Sequence, residues 1–309
     1  MKPLIVIVGP TGIGKSKTAF NLAQGFNGEI VSADSRQVYR YMDIGTAKPS
    51  HQELALIPHH LIDSVDPDEN FSLAKYHNLT YRAVKDIQQR NKMALLVGGS
   101  GLYVWSVVEG WQIPRVPPDP EYRQKLEDKA EIAGGDKLYE ELLELDPVIA
   151  KNIDKRNVRR IIRALEVHRK GSPSFRFQRK KAPRFKTLVI GLTADRETLY
   201  HRIDARVDEM VKRGLVKEVE TLLAKGYSFE LPSMSGIGYD QIGKFLKNEL
   251  SLDSAIQQIK YETHRFVRHQ YNWFRLKDDR IRWFDIRDEI GTGIDKLVVE
   301  FTGGVEVRQ

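Results

Sequence analysis

The stretch Gly9-Pro10-Thr11-Gly12-Ile13-Gly14-Lys15-Ser16 constrains this chain more than any other. It matches the phosphate-loop pattern Gly-x4-Gly-Lys-Ser, which works only where a buried strand ends and a helix begins. The β-branched run Leu4–Val8 supplies such a strand, and Lys17–Gln24 has helical character. Two more strand-like runs follow, Glu29–Ser32 and Met93–Val97, with helical spacing over Leu73–Gln89 and a helix expected from Leu102. Strands alternating with helices predict an α/β fold, a P-loop-type doubly wound parallel sheet with ligands at the carboxyl ends of its strands.

Pro114, Pro117, Pro118 and Pro120 interrupt that alternation. Helical segments follow near Glu121–Ala133, Lys137–Leu145 and Arg156–Lys170, then a basic loop over Gly171–Lys186. Thr187–Leu192 reads as a strand returning to the sheet, so residues 114–186 form a helical insertion domain. The catalytic core would then be 1–113 with 187–290, and the tail 291–309 has no assignment. Amphipathic helices are expected at Glu197–Lys212, Val216–Lys225 and Ser254–Arg275, the last capped by Asp253. On that long helix Tyr261, Arg265, Arg268, Asn272 and Arg275 fall near one face. The stripe suits nucleic acid, and it equally suits arginine stems lying over a packed helix.

Charge is unevenly distributed. The chain carries 49 Lys and Arg against 42 Asp and Glu, but Lys151–Ile190 alone holds fourteen basic residues and two acids. Such a run is either a solvated face or a polyanion site, and its density points to nucleic acid. No apolar run approaches the roughly 20 residues of a membrane span. With no cysteine there is no thiolate nucleophile and no thiolate-held zinc. The cytoplasm is the expected compartment.

In the loop itself, backbone N–H groups and the helix start cradle a di- or triphosphate, Lys15 neutralises it, and Ser16 offers a hydroxyl to Mg²⁺. A nucleotide hydrolase would usually end its buried strand in an acid, whereas Met93–Val97 runs into Gly98-Gly99-Ser100. The acid stands instead at Asp34, after the second strand. It could be a base, a metal ligand, or an Asx-turn residue.

The residues that resolve this are an ordered set. They are Gly9-Pro-Thr-Gly-Ile-Gly-Lys-Ser16, Asp34-Ser-Arg-Gln-Val-Tyr39, Met42-Asp-Ile-Gly-Thr-Ala-Lys-Pro49, His59-His-Leu-Ile-Asp63 and Gly98-Gly-Ser-Gly-Leu-Tyr103. Arg159-Arg-Ile-Ile-Arg-Ala-Leu-Glu166, Ser235-Gly-Ile-Gly-Tyr239 and the helix end Gln270 to Trp273-Phe-Arg275 complete it. From about residue 4 to 276 the chain resembles the tRNA dimethylallyltransferase (IPP transferase) family. Ser100 departs from the family's usual threonine while keeping the hydroxyl. His264 and His269 replace two arginines of its late helix, and the zinc finger of some eukaryotic members is missing.

The resemblance implies transfer of a dimethylallyl group from dimethylallyl diphosphate to the exocyclic amine of the adenosine beside the tRNA anticodon, releasing pyrophosphate. No ATP is hydrolysed. The residues from Gly9 to Ser16 would hold the pyrophosphate, with Lys15 and Arg206 stabilising the leaving group and Mg²⁺ on Ser16. Asp34 would be the base and Ser100 its hydrogen-bonding neighbour. By family position the tRNA contacts are Asp34, Ser35, Arg36, Gln37, Ser100, Arg123, the segment with Arg159, Arg160 and Arg163, and Gly236, Gly238, Tyr239 and Gln241. Arg265 and Arg268 join them from the basic stripe. The expected partners are the tRNA anticodon stem-loop and the donor, without a membrane, and a monomer is expected. A P-loop kinase, a prenyltransferase of free adenine nucleotides and an RNA-binding module with a vestigial loop are the rival readings.

Overall fold

The structure is a computed structural model that describes residues 1–113, 116–170 and 182–303. Two compact units are present, Met1–Val108 with Pro183–Gln309, and Glu109–Ala182.

The first unit opens with β1 (Pro3–Val8), α1 (Lys15–Gly25), β2 (Gly28–Ser32), α2 (His51–Leu56), β3 (His59–His60), α3 (Leu73–Gln89), β4 (Met93–Val97) and α4 (Gly101–Val108). In the second unit lie α5 (Pro120–Ala133), α6 (Gly135–Leu145), α7 (Pro147–Ala150) and α8 (Val158–Arg169). The first unit resumes with β5 (Lys186–Thr193), α9 (Arg196–Lys212), α10 (Leu215–Ala224), α11 (Tyr239–Leu246), α12 (Leu252–Trp273), β6 (Ile281–Asp285) and α13 (Ile290–Thr302).

The six strands of the described residues form one parallel sheet in the order β3-β2-β4-β1-β5-β6. Leu4–Val8 are all 0% exposed, as expected of a strand covered on both faces. The chain leaves β1 towards β2 on one side and later returns to pair β5 on the other. The carboxyl end of β1 is therefore the switch point where such sheets bind ligands. The β1–α1, β2, β4 and β5–α9 connections all open there.

Local chemistry sets many of the boundaries. Ser50 and Glu53 form a reciprocal capping box at α2, Ser72 caps α3 through Lys75 N–H, and Asp195 caps α9 through Thr198 N–H. At α12 the cap is Ser251, whose hydroxyl accepts from Ser254 N–H at 3.2 Å, and not Asp253 as expected. Asp253 lies in the first turn, where its charge still complements the helix dipole.

The sequence pattern does not reveal α2, β3, α11, β6 or α13. β6 pairs in register with β5, from Val189 opposite Ile281 to Thr193 opposite Asp285. The tail without assignment contains α13, which buries Ile294 and Val298 against β1 and β5. Within the second unit Leu126, Leu138, Leu142, Ile161 and Leu165 make a separate apolar core. Of the expected basic loop, residues 171–181 lie outside the described residues, as does Pro114.

Candidate active site

The phosphate loop needs its glycines. Gly9, Gly12 and Gly14 have φ of 144°, 84° and 106°, and a Cβ on Gly9 would stand 2.5 Å from the Leu192 carbonyl oxygen. Gly14 ends the loop in left-handed geometry and hands over to α1 without a side-chain cap, leaving the first N–H groups of the helix for an anion. Lys15 Nζ donates to the Pro10 carbonyl at 2.8 Å, which folds the side chain back over the loop. Burial, with the nearby Arg206 adding to it and Asp34 opposing both, lowers the Lys15 pKa to about 7. Arg206 is itself depressed by burial and supported by Asp34. A bound polyanion would restore full charge to Lys15.

Asp34 makes the Asx turn that is one of its three readings. Its Oδ1 accepts the backbone N–H of Arg36 at 2.8 Å and of Gln37 at 3.4 Å, which is an Asx turn. Its other carboxylate oxygen accepts no hydrogen bond among the described residues. Two cavities meet here, one of about 430 Å³ and one of about 300 Å³, and Thr11, Asp34, Thr46 and Arg206 line both. Gly12, Gly14, Lys15 and Ser16 face the larger, while Ser35, Arg36, Ser100, Gly236, Gly238 and Tyr239 face the smaller. Gly9, Pro10 and Ile13 line neither; they shape the loop from behind, with Ile13 in the core.

Several of the residues expected to contact RNA also brace the fold. Gln37 donates from Nε2 to the carbonyls of Thr46 and Ala47, both at 3.3 Å, and Ser32 Oγ donates to its Oε1. Gln241 is buried and its Oε1 accepts Gly238 N–H at 2.8 Å, closing the start of α11. Tyr239 is 1% exposed and donates its hydroxyl to Glu218 at 2.6 Å. Arg36 donates to the carbonyls of Pro232 and Ser233 at 2.7 and 3.2 Å. On α12, Arg268 donates to Tyr200 Oη at 3.0 Å, and Arg265 is exposed.

In the second unit Arg123 forms a two-pronged pair with Glu166, both bonds at 2.9 Å, and Arg163 also binds that carboxylate. Burial would raise the Glu166 pKa, but Arg123, Arg163 and the Asp119 N–H together hold it low. Arg159 and Arg160 are exposed and make no ion pair among the described residues.

The sequence reading missed two residues. Arg202, one helical turn before Arg206 on α9, donates from Nε to the Gly12 carbonyl at 3.0 Å and lines the larger cavity. Its i, i+4 spacing to Arg206 was the available signal. Glu218 on α10 accepts the consecutive backbone N–H groups of Asp43, Ile44 and Gly45 at 2.9, 2.7 and 3.1 Å, holding the loop that carries Thr46. Nothing in the sequence marks it.

The donor set suits Mg²⁺ delivered with a phosphate rather than a metal held by protein alone. No group of three or more His, Cys, Asp or Glu is arranged for a metal among the described residues. The exposed Ser16 hydroxyl makes no hydrogen bond among them, and Ser16 shares the larger cavity with Asp34. Mg²⁺ keeps several waters and typically takes only one or two protein ligands beside substrate phosphates.

Comparison with known proteins agrees with this geometry. A sequence profile described as IPP transferase matches residues 37–277. A tRNA dimethylallyltransferase of Dehalococcoides mccartyi is 46% identical over 309 residues, covering 99% of this chain and 95% of that protein. The full-length tRNA isopentenylpyrophosphate transferase of Bacillus halodurans superposes with a TM-score of 0.72 at 37% identity, over 99% of this chain and 97% of that one. A eukaryotic dimethylallyltransferase captured acting on tRNA gives a TM-score of 0.81 at 28% identity, over 100% of this chain and 81% of that one. The chain belongs to the IPP transferase family.

Proposed function

We infer that this protein is a tRNA dimethylallyltransferase, moving a dimethylallyl group from dimethylallyl diphosphate onto the exocyclic amine of the adenosine beside the anticodon. The observation that carries the reading is Asp34, with one carboxylate oxygen spent on its turn and the other free where the two cavities meet. The donor occupies the larger cavity with its diphosphate on the loop from Gly9 to Ser16. The adenine, turned out of its stack, enters the smaller one past Arg36 and Gly236.

Adenine's exocyclic amine is a poor nucleophile because its lone pair is delocalised into the ring. As it attacks the donor's first carbon, the carbon–oxygen bond breaks and the electron pair leaves with pyrophosphate. The amine proton passes to the free oxygen of Asp34. Lys15, Arg206, Arg202 and the loop amides meet the charge that develops on the leaving group. Mg²⁺, when bound through Ser16 and the diphosphate, supplies further charge neutralisation there. Ser100 offers its hydroxyl to the amine or to Asp34. The exposed Arg159 and Arg160, with Arg265 and Arg268 of α12, provide cations for the RNA backbone, while Arg123 and Arg163 hold their own helices together first.

Purified protein incubated with dimethylallyl diphosphate and unmodified tRNA should yield prenylated adenosine by nucleoside mass spectrometry, with matching pyrophosphate release. Phosphate transfer from γ-labelled ATP, with no prenylated nucleoside, would sink the reading and favour a kinase.

A further inference from the structure

Gln270 lies in the last turn of α12, 3% exposed, with both ends of its amide committed. Its Oε1 accepts the backbone N–H of Thr11 at 2.8 Å, and its Nε2 donates to the Gly99 carbonyl at 3.1 Å. Thr11 belongs to the phosphate loop after β1. Gly99 directly precedes Ser100 in the loop after β4. These two loops bear opposite sides of the reaction, and one side chain spans them.

The surroundings are cut to this side chain. A Cβ on Gly99 would sit 2.2 Å from Gln270 Nε2, and one on Gly101 would sit 2.2 Å from Trp273 Cγ. Neither glycine has the left-handed φ that the phosphate-loop glycines need. They are small so that the end of α12 can seat against the loop. Trp105 Nε1 donates to the Trp273 carbonyl at 3.0 Å and fixes that seat from the other side. An uncharged amide can accept from an N–H and donate to a carbonyl at the same time.

We propose that Gln270 is a positioning residue for the transfer, setting the distance between the loop that holds the donor's phosphates and the loop that carries Ser100. The inference rests on the prenyl-transfer reading above and adds a residue to it. Reacting atoms must approach to about 3–3.5 Å, and a misplacement of about 1 Å can cost roughly 10²-fold in rate. Each loop without Gln270 still binds its own substrate, so the penalty falls on the step that needs both.

The test uses the full chain with Gln270→Glu, which when ionised keeps the acceptor but loses the donor, and Gln270→Met, which loses both without adding charge. Three quantities are read: melting temperature, separate dissociation constants for dimethylallyl diphosphate and unmodified tRNA, and the single-turnover rate with both saturating. The expected result is a rate loss of about 10- to 100-fold in both variants, with each Gln270→Met dissociation constant staying within about threefold of wild type. If Gln270→Met unfolds, the rate and tRNA affinity of Gln270→Glu decide. An unchanged rate overturns the proposal, as does a rate loss matched by lost affinity or lost folded fraction, or unfolding of both variants. Absence of transfer by the wild-type protein would instead overturn the function itself.

Discussion

At the residue scale, Asp34 and Lys15 carry the sharpest consequences. Asp34→Asn keeps the oxygen that accepts Arg36 N–H, so the turn and the melting temperature should survive. Proton acceptance is lost, and kcat should fall by about 10²–10⁴ with substrate affinities near wild type. Rescue by added Mg²⁺ would reassign Asp34 to the metal. Lys15 starts from a folded pKa of about 7, depressed by burial and by Arg206. Between pH 7 and its unfolded value of 10.5 the unfolded chain binds more protons, so this group makes stability rise with pH across that window. Below about 7 its penalty is fully present. Donor binding above pH 7 should therefore take up a proton. Calorimetry in two buffers of different ionisation heat checks this, and Lys15→Met should abolish the uptake.

At the element scale, loops are held by helices far along the chain. Glu218 of α10 gathers three consecutive N–H groups and the Tyr239 hydroxyl, so Glu218→Ala strands four donors at once. Charge-assisted bonds of this kind are worth roughly 1.5–3 kcal/mol each, and a loss of about 2 kcal/mol or more should appear as a lower melting temperature. Gln37 braces the same loop from the turn after β2, so its replacement should disturb the donor cavity before it disturbs RNA affinity. These roles were invisible because acceptor geometry at a backbone leaves no spacing in the sequence. The strands β1 and β4 and the helix α3 were legible because burial on both faces, or on one helical stripe, writes itself as periodicity. In β6 and α13 that signal fails. Arg282 and Asp285 interrupt the strand, and Gly291 and Gly293 depress helix propensity, so packing against β5 and β1 decides both.

At the scale of the whole molecule, charge is sorted between structure and recognition. Replacing Arg159 and Arg160 together by alanine should lower tRNA affinity and flatten its salt dependence by about two counterions' worth of slope. Donor affinity and melting temperature should stay unchanged. Arg163→Ala should behave differently, because it withdraws a partner from the buried Glu166 and costs about 1–3 kcal/mol of stability. Affinity titrations across salt, run beside melting curves, separate the two. By itself the sequence determined the phosphate loop, the parallel α/β plan, the presence of a helical insertion and the family, since each is written in local pattern or in an ordered set of motifs. It also put Lys15, Asp34 and Ser100 forward as chemistry-bearing groups. Only the tertiary structure decided which polar residues are free to act. Asp34 keeps one oxygen open, whereas Gln37, Tyr239, Gln241 and Arg123 are engaged by partners far away in the chain. The physical reason is that a buried polar group must be paired, and its partner is chosen by where the chain returns in space.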